Sequence, residues 1–140
     1  RYTICKKTYI AIKDATLSNI EYIQHPNGIH EFIWQEPVVG TIKEWLEKLE
    51  EIYEAAAPNS LLMFLIDALV TISPEATYQH IQQFRAKQSK RLFTRTAVLY
   101  NTAMPPQDIR RVENLFNRET DVYRVFNPNK RNEAIKWLLA

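Results

Sequence analysis

The sequence predicts a single α/β domain with a mixed, mostly parallel sheet, a β-hairpin near its start and about four helices. Two apolar runs, LLMFLID and TAVLYN, are too short for helices and are typical of strands buried on both faces. Segments with helical spacing separate the strand candidates, which favours parallel strands joined by crossovers. A chain of 140 residues is long enough to bury a core of its own.

The hairpin is predicted from two strand candidates on either side of an Asn-Gly pair. NIEYIQ (19–24) and IHEFIWQ (29–35) flank His25-Pro26-Asn27-Gly28. Asn-Gly supplies the positive φ angles of a tight hairpin turn.

The first helix is predicted over TIKEWLEKLEEIYEAAA, because its apolar residues recur every three or four positions. Thr41 and Glu44 have the spacing of a capping box at its start.

Three further helices follow, each after a strand candidate. Ser73-Pro74 supplies the N-cap and first position of a helix that runs to about Lys90. Pro105-Pro106 opens the next helix, and NEAIKWLLA forms the last one.

The predicted order of elements is therefore β-β-α-β-α-β-α-β-α. The last strand, DVYRVFN, is placed near a sheet edge because Arg124 interrupts its apolar pattern. Residues 1–18 are assigned to an N-terminal segment that forms an extra strand or a tail, and residues 19–140 to the domain.

Glycine content excludes several classes of nucleotide-binding protein and hydrolase. Gly28 and Gly40 stand alone, whereas phosphate-binding loops need several closely spaced glycines. The G-x-S-x-G turn of the α/β hydrolases is excluded for the same reason.

Metal and disulfide sites are not predicted either. Cys5 is the sole cysteine, so it can form no disulfide within the chain. The three histidines lack the spacing that would place two of them on one helix face. We expect no metal or cofactor, and hydrogen-bonded or solvated roles for His25, His30 and His80.

A cytoplasmic location is the expectation from the sequence. No apolar run approaches the roughly 18 residues of a membrane-spanning helix, and Arg1-Tyr2-Thr3-Ile4 lacks the layout of a signal peptide. A single cysteine is consistent with a reducing compartment.

The basic run RAKQSKRLFTR is the one candidate for a nucleic-acid site. Its cations lie at the end of a predicted helix, within a net charge of only +2. We therefore expect them to complement the dipole of that helix, and we predict no nucleic-acid partner.

The order of elements resembles that of the STAS-like domains, relatives of the bacterial anti-sigma factor antagonists. The resemblance covers residues 19–140 and is carried by IHEFIWQEPVV leading into a helix, LLMFLID as central strand, TAVLYNT as the next, and the closing VFNPNKRNEAIKWLLA. It implies a non-enzymatic regulatory or protein-interaction module with another protein as its partner. Some members are switched by phosphorylation of a serine beside the helix that follows the central strand.

In this chain the corresponding segment is 68–75. The antagonists carry an Asp-Ser-Ser/Thr-Gly-type motif there, whereas this chain has Thr71-Ile72-Ser73-Pro74-Glu75 without a glycine. Helix capping is therefore favoured over a phosphoacceptor role for Ser73 or Thr71. The candidate binding surface is this loop and the polar face of the next helix, namely Asp67, Thr71, Ser73, Glu75, Gln79, Gln82 and Gln83.

Asp67 has a second interpretation, as the phosphoacceptor of a two-component receiver domain. That chemistry needs further acids to hold magnesium and a lysine to pair with the phosphoryl group. Only Glu36 follows the first parallel strand, and Asn127-Pro128 stands where lysine would be needed. We favour an Asp67 that accepts hydrogen bonds from its own loop.

An alternative function is the binding of a small molecule or lipid in an apolar pocket at the carboxyl ends of the parallel strands. Phe32 and Trp34 share one strand face, opposite Ile29 and Ile33, and could line such a pocket. Core packing is the favoured role for both aromatic residues. The oligomeric state is left open, a dimer included.

Overall fold

The computed structural model describes residues 18–68 and 72–140. Their strands are β1 (Ile20–Gln24), β2 (Ile29–Trp34), β3 (Leu61–Ala68), β4 (Phe93–Leu99) and β5 (Asp121–Phe126), and their helices are α1 (Val39–Ala55), α2 (Pro74–Lys87), α3 (Pro106–Phe116) and α4 (Arg131–Leu139). This order confirms the predicted one. Apart from Ser18, the N-terminal segment assigned from the sequence lies outside the described residues. No helix in the described ranges is both long enough and apolar enough to cross a membrane.

The five strands lie in the sheet in the same order as in the chain. β1 and β2 pair antiparallel, and the other three pairings are parallel, so the predicted mixed and mostly parallel sheet is confirmed. Each parallel connection joins a strand to its next neighbour on the same side. Because such crossovers are right-handed, α1, α2 and α3 lie on one face of the sheet. α4 follows the edge strand β5 and packs on the other face, against β3 and β4.

The two faces of the sheet have separate hydrophobic clusters. On the three-helix face, Phe64 and Ile66 of β3 pack with buried residues of α1, α2 and α3. On the other face, Leu65 packs with Ala134 and Leu138 of α4. β3 is therefore buried on both faces, as its unbroken apolar run predicts.

The β1–β2 turn confirms the hairpin but differs from the prediction in detail. Within the turn 25–28, Gly28 alone has a positive φ, of +95°. Gly28 N donates to His25 O at 3.0 Å, so Pro26 and Asn27 occupy the centre of the turn. Asn27 Oδ1 accepts from Ile29 N at 3.1 Å, which fixes the start of β2. Proline suits the first central position because its φ is already set.

The predicted capping box at the start of α1 is wrong. The N-cap residue is Val38, which makes no side-chain cap. Thr41 is buried inside the first turn, where Oγ1 donates to Glu36 O at 2.6 Å. The Glu44 carboxylate instead accepts from the backbone N and Nδ2 of Asn19, both at 2.9 Å. A contact across 25 positions thus replaces the local one.

Cations of the basic segment bind the carboxyl ends of helices other than α2. Arg85 Nη2 donates to Phe116 O of α3, and Lys90 Nζ donates to three carbonyl oxygens at the end of α1. Arg95 Nη1 donates to three carbonyls at the end of α4. Free carbonyls at a helix end carry partial negative charge, so each cation stabilises a helix terminus. α2 itself ends at Lys87, earlier than predicted.

Substitution of Gly28 tests the turn. Gly28→Val should lower the free energy of unfolding by about 1 kcal/mol or more, because a β-branched residue is strained at positive φ. Gly28→Asn should cost less, since asparagine adopts positive φ more readily. Urea unfolding measures both. The control Gln24→Val, at an exposed position of β1, should stay within about 0.5 kcal/mol of the wild type. Equal losses for the two valine variants would contradict a conformational role for Gly28.

Candidate ligand cavity and the charged cluster on the opposite face

A partly enclosed apolar cavity lies between the sheet and the three helices α1, α2 and α3. Trp34 and Ala68 are the last residues of β2 and β3, and Tyr100 directly follows β4. Trp45 of α1 and Thr77 of α2 form further parts of the wall. The cavity is thus at the carboxyl ends of the parallel strands, where open α/β sheets bind ligands.

The cavity follows from the side chains that meet at the end of the sheet. Trp34 pairs in register with Ala68, so a large indole stands beside a single methyl group. The cavity has a volume of about 50 Å³. The described residues that line it include no aspartate, glutamate, lysine or arginine. The site therefore favours an apolar, uncharged occupant.

Two tryptophan donors in the cavity wall have no hydrogen-bond acceptor. Trp34 is 6% exposed and Trp45 is 2% exposed. Their rings meet edge to face, with centroids 5.3 Å apart. Within the described ranges, their Nε1 atoms are the buried side-chain nitrogen or oxygen atoms that lack a partner. Leaving a buried donor unpaired costs about 1–3 kcal/mol, so this pair requires an explanation.

The hydroxyl groups of the wall have a different environment. Thr77 Oγ1 donates to Ser73 O at 3.0 Å. Burial raises the pKa of Tyr100, with a smaller opposing effect of Arg111 and a smaller raising effect of Glu75. Arg111 and Glu75 are themselves joined by an ion pair at 2.8 Å between α3 and α2. The charged pair near Tyr100 is thus internally neutralised.

A charged cluster occupies the opposite face of the sheet. The Glu31 carboxylate, 3% exposed, accepts two hydrogen bonds from the guanidinium of Arg131, both at 2.8 Å. His25 Nε2 lies 2.7 Å from Glu31 Oε1. The hydrogen bonds from Arg131 hold the pKa of Glu31 below its ordinary value, although burial acts in the other direction. Bidentate pairing of this kind is among the strongest hydrogen bonding that a carboxylate finds.

Asp67 belongs to this cluster and not to the cavity. Its neighbours Ile66 and Ala68 line the cavity, so the alternation of the strand turns Asp67 toward α4. Asp67 Oδ2 lies 4.0 Å from Arg131 Nη1. Burial raises the pKa of Asp67, Arg131 lowers it, and Glu31 raises it further. The loop to which we expect Asp67 to bond includes residues 69–71, outside the described ranges.

The other predicted site residues lie on α2, away from Asp67. Ser73 caps α2 as predicted, since its Oγ accepts from Ala76 N at 3.4 Å. Glu75 is held by the ion pair described above. Thr71 lies outside the described residues. The predicted loop-and-helix surface is thus divided, because Asp67 faces α4 on the other side of the sheet.

The three glutamines of α2 differ in their contacts. Gln79 and Gln83 are exposed. Gln82 Oε1 accepts from Arg85 Nη1 at 3.1 Å and from Arg118 Nη2 at 3.4 Å. Part of the polar face is therefore used within the molecule.

The histidines are all hydrogen-bonded, as predicted. His30 Nδ1 lies 2.6 Å from the hydroxyl of Tyr22, and His80 Nδ1 lies 3.0 Å from Ala76 O. His25 contacts Glu31. In the part of the chain that the structure describes, no three His, Cys, Asp or Glu side chains are grouped as a metal site would need.

Sequence reasoning placed a pocket at the correct edge of the sheet but missed most of its wall. The strand pattern offers Trp34 as a pocket residue and favours core packing for it. The structure gives it both positions, in the core and in the cavity wall. Nothing in the local sequence indicates that Trp45 and Tyr100 line a cavity. Helical spacing predicts only that Trp45 is buried, and Tyr100 is only the residue that follows a predicted strand.

Removal of Arg131 tests the charged cluster. Arg131→Met should lower the free energy of unfolding by about 2 kcal/mol at pH 7, because Glu31 would keep its charge in a buried position without its main partner. The side chain of Arg131 is 41% exposed, so water can enter beside Glu31 and reduce the loss of stability. The control is Lys130→Met, which removes a neighbouring cation from an exposed ion pair and should cost less than about 0.5 kcal/mol. Equal effects in urea unfolding would contradict the pairing.

The same pair predicts a pH dependence of stability. Since the pKa of folded Glu31 lies below its ordinary value of 4.5, its ionised form stabilises the fold above about pH 4.5, and this contribution is lost as the pH falls through the folded pKa. The pKa of Asp67 is raised, so the effect of Asp67 has the opposite sign: its protonation at low pH stabilises the folded state. Glu31→Gln should therefore flatten the loss of stability as the pH falls below about 4.5. The exposed control Glu50→Gln should leave the slope unchanged, and a wild-type slope in Glu31→Gln would be the contrary result.

Comparison of the chain with models of known families, with curated proteins and with solved structures finds no match. The STAS-like resemblance therefore stays a prediction, and the case for a function rests on the geometry of the two faces.

Proposed function

We propose that this domain binds a small, largely apolar molecule in the cavity between the sheet and its three covering helices. The observation that carries the proposal is an apolar, partly enclosed space at the carboxyl ends of parallel strands. Ligands of open α/β sheets bind outside this edge, and small-molecule sites are concave and mostly apolar.

The volume of the cavity supports binding. Protein interiors are usually packed without voids larger than a water molecule. The cavity volume of about 50 Å³ exceeds the roughly 10–15 Å³ that one water molecule needs. This volume lies below the roughly 300–1,000 Å³ of pockets for drug-sized ligands, so the proposed occupant is a small molecule.

The protein-interaction function implied by the STAS-like resemblance receives less support. Gln79 and Gln83 present polar groups to solvent on α2, but Gln82 and Glu75 already bond within the molecule. Asp67 is engaged on the other side of the sheet. The cavity thus offers a specific binding geometry, whereas the outer face of α2 offers exposed side chains alone.

Filling the cavity tests the proposal. Indane, a small bicyclic hydrocarbon, should raise the melting temperature of the wild type and shift the amide signals of cavity residues. Ala68→Leu should weaken this binding at least about tenfold, because the larger side chain occupies the space beside Trp34. Ala68→Val, a smaller filling, should give an intermediate loss.

The matched control is Ala86→Leu, an exposed position of α2 away from the cavity, which should bind indane as the wild type does. The proposal fails if indane near its solubility limit neither stabilises the wild type nor shifts any cavity signal.

A further inference from the structure

We infer that the domain has a second binding site, for a small organic phosphate, in a basic groove at the amino ends of β4 and β5. Leu92 and Thr120, which directly precede these strands, line the groove. It therefore lies at the edge of the sheet opposite to the apolar cavity, and the inference is independent of the proposed function. Its volume of about 490 Å³ is within the roughly 300–1,000 Å³ of pockets for drug-sized ligands. The charged residues that line it are Arg85, Lys90, Arg91, Arg118 and Asp121.

The charges of the basic groove are unbalanced. Four cations and one carboxylate give it a net charge of +3, whereas the net charge of the whole chain is +2. Within residues 18–68 and 72–140, the one ion pair that these cations form is between Arg85 Nε and Asp121 Oδ2, at 3.4 Å. The positive charge of the protein is thus concentrated in one concave site.

Helix ends offset part of this charge. Lys90 donates to carbonyl oxygens at the end of α1, and Arg85 and Arg118 donate to carbonyl oxygens at the end of α3. α2 also ends beside the groove, at Lys87. A helix carboxyl end carries about half a negative charge, so three ends offset about 1.5 charges. The remaining charge of about +1.5 is matched by a phosphate monoester, which carries about −1.5 to −2 at pH 7.

Neutral acceptors hold two guanidinium groups of the groove close together. Gln82 Oε1 accepts from Arg85 Nη1 at 3.1 Å and from Arg118 Nη2 at 3.4 Å. Arg118 Nη2 also donates to the hydroxyl of Tyr78 at 2.8 Å. These contacts fix the positions of both groups without cancelling the charge of Arg118. Because the two like charges repel, a bound anion would be attracted by both of them.

Arg91 is the cation that can bind the phosphate group directly. Its side chain is exposed, and its guanidinium lies 5.2 Å from the ring centroid of Phe93. Among the described residues, no acceptor is within hydrogen-bond distance of this guanidinium. Its planar array of donors can bind two phosphate oxygens at once. Ala86 and Leu92 add apolar surface to the groove, which favours a phosphate ester over inorganic phosphate.

The experiment titrates the protein with phenyl phosphate, inorganic phosphate and phenol by calorimetry at about 0.15 M ionic strength, where distant charges are screened. Phenyl phosphate should bind most tightly, because inorganic phosphate lacks the ring and phenol lacks the charge. Arg91→Gln should weaken its binding at least about tenfold, because a hydrogen bond to a charged group is lost. Arg118→Gln should weaken it about threefold, because this charge acts without a direct bond.

The matched control is Arg110→Gln. It removes the same charge from an exposed position of α3 outside the groove, and the affinity for phenyl phosphate should stay within about twofold of the wild type.

A second readout uses the unaltered protein, so it does not depend on the folding of any variant. In ¹H–¹⁵N spectra, phenyl phosphate should shift the amide signals of Leu92 and Thr120, which line the groove. It should leave the signal of Ala68, in the wall of the apolar cavity, in place. Saturation with indane should not change the affinity for phenyl phosphate.

The outcomes separate this inference from the proposed function. The inference is overturned if phenyl phosphate does not bind at millimolar concentration, or if phenol or inorganic phosphate binds as tightly. An equal loss of affinity in Arg91→Gln and Arg110→Gln would also overturn it, because net charge alone would then explain the binding. The proposed function depends on the binding of indane, so either can fail while the other stands.

Discussion

The constraint on which the rest of the structure depends is the order of the strands. Neighbours in the chain are neighbours in the sheet, and right-handed crossovers then force α1, α2 and α3 onto one face. Three helices over five strands enclose a core with a cavity at the carboxyl ends of the strands. The other face is left to α4 among the described helices. The position of the cavity and the separation of the two faces thus follow from the order of the strands.

The side chains of the central strand β3 show how the two faces differ in polarity. Successive residues point to opposite faces, so Ala68 borders the cavity while Asp67 meets Arg131. The apolar side keeps two donors without partners. The charged side satisfies the buried Glu31 twice over, through Arg131 and His25.

Three cations between positions 85 and 95 bind helix ends on both faces of the sheet. Arg85, Lys90 and Arg95 each donate to carbonyl oxygens at the end of a different helix, namely α3, α1 and α4. These contacts hold the carboxyl ends of three helices from positions distant in sequence. The sequence shows a basic run at these positions, and in the folded domain three of its cations bind the carboxyl ends of helices.

The sequence by itself determined what depends on neighbouring residues: the turn at Gly28 through its φ preference, the start of α2 at Ser73-Pro74 through capping, and the order of elements through hydrophobic periodicity. It also indicated the sheet edge at which a pocket would lie. Only the tertiary structure decided the partner of Glu31, which is 100 positions away at Arg131, and the unpaired state of Trp34 Nε1. Those features depend on register and on packing between elements, and periodicity within one element carries no information about either.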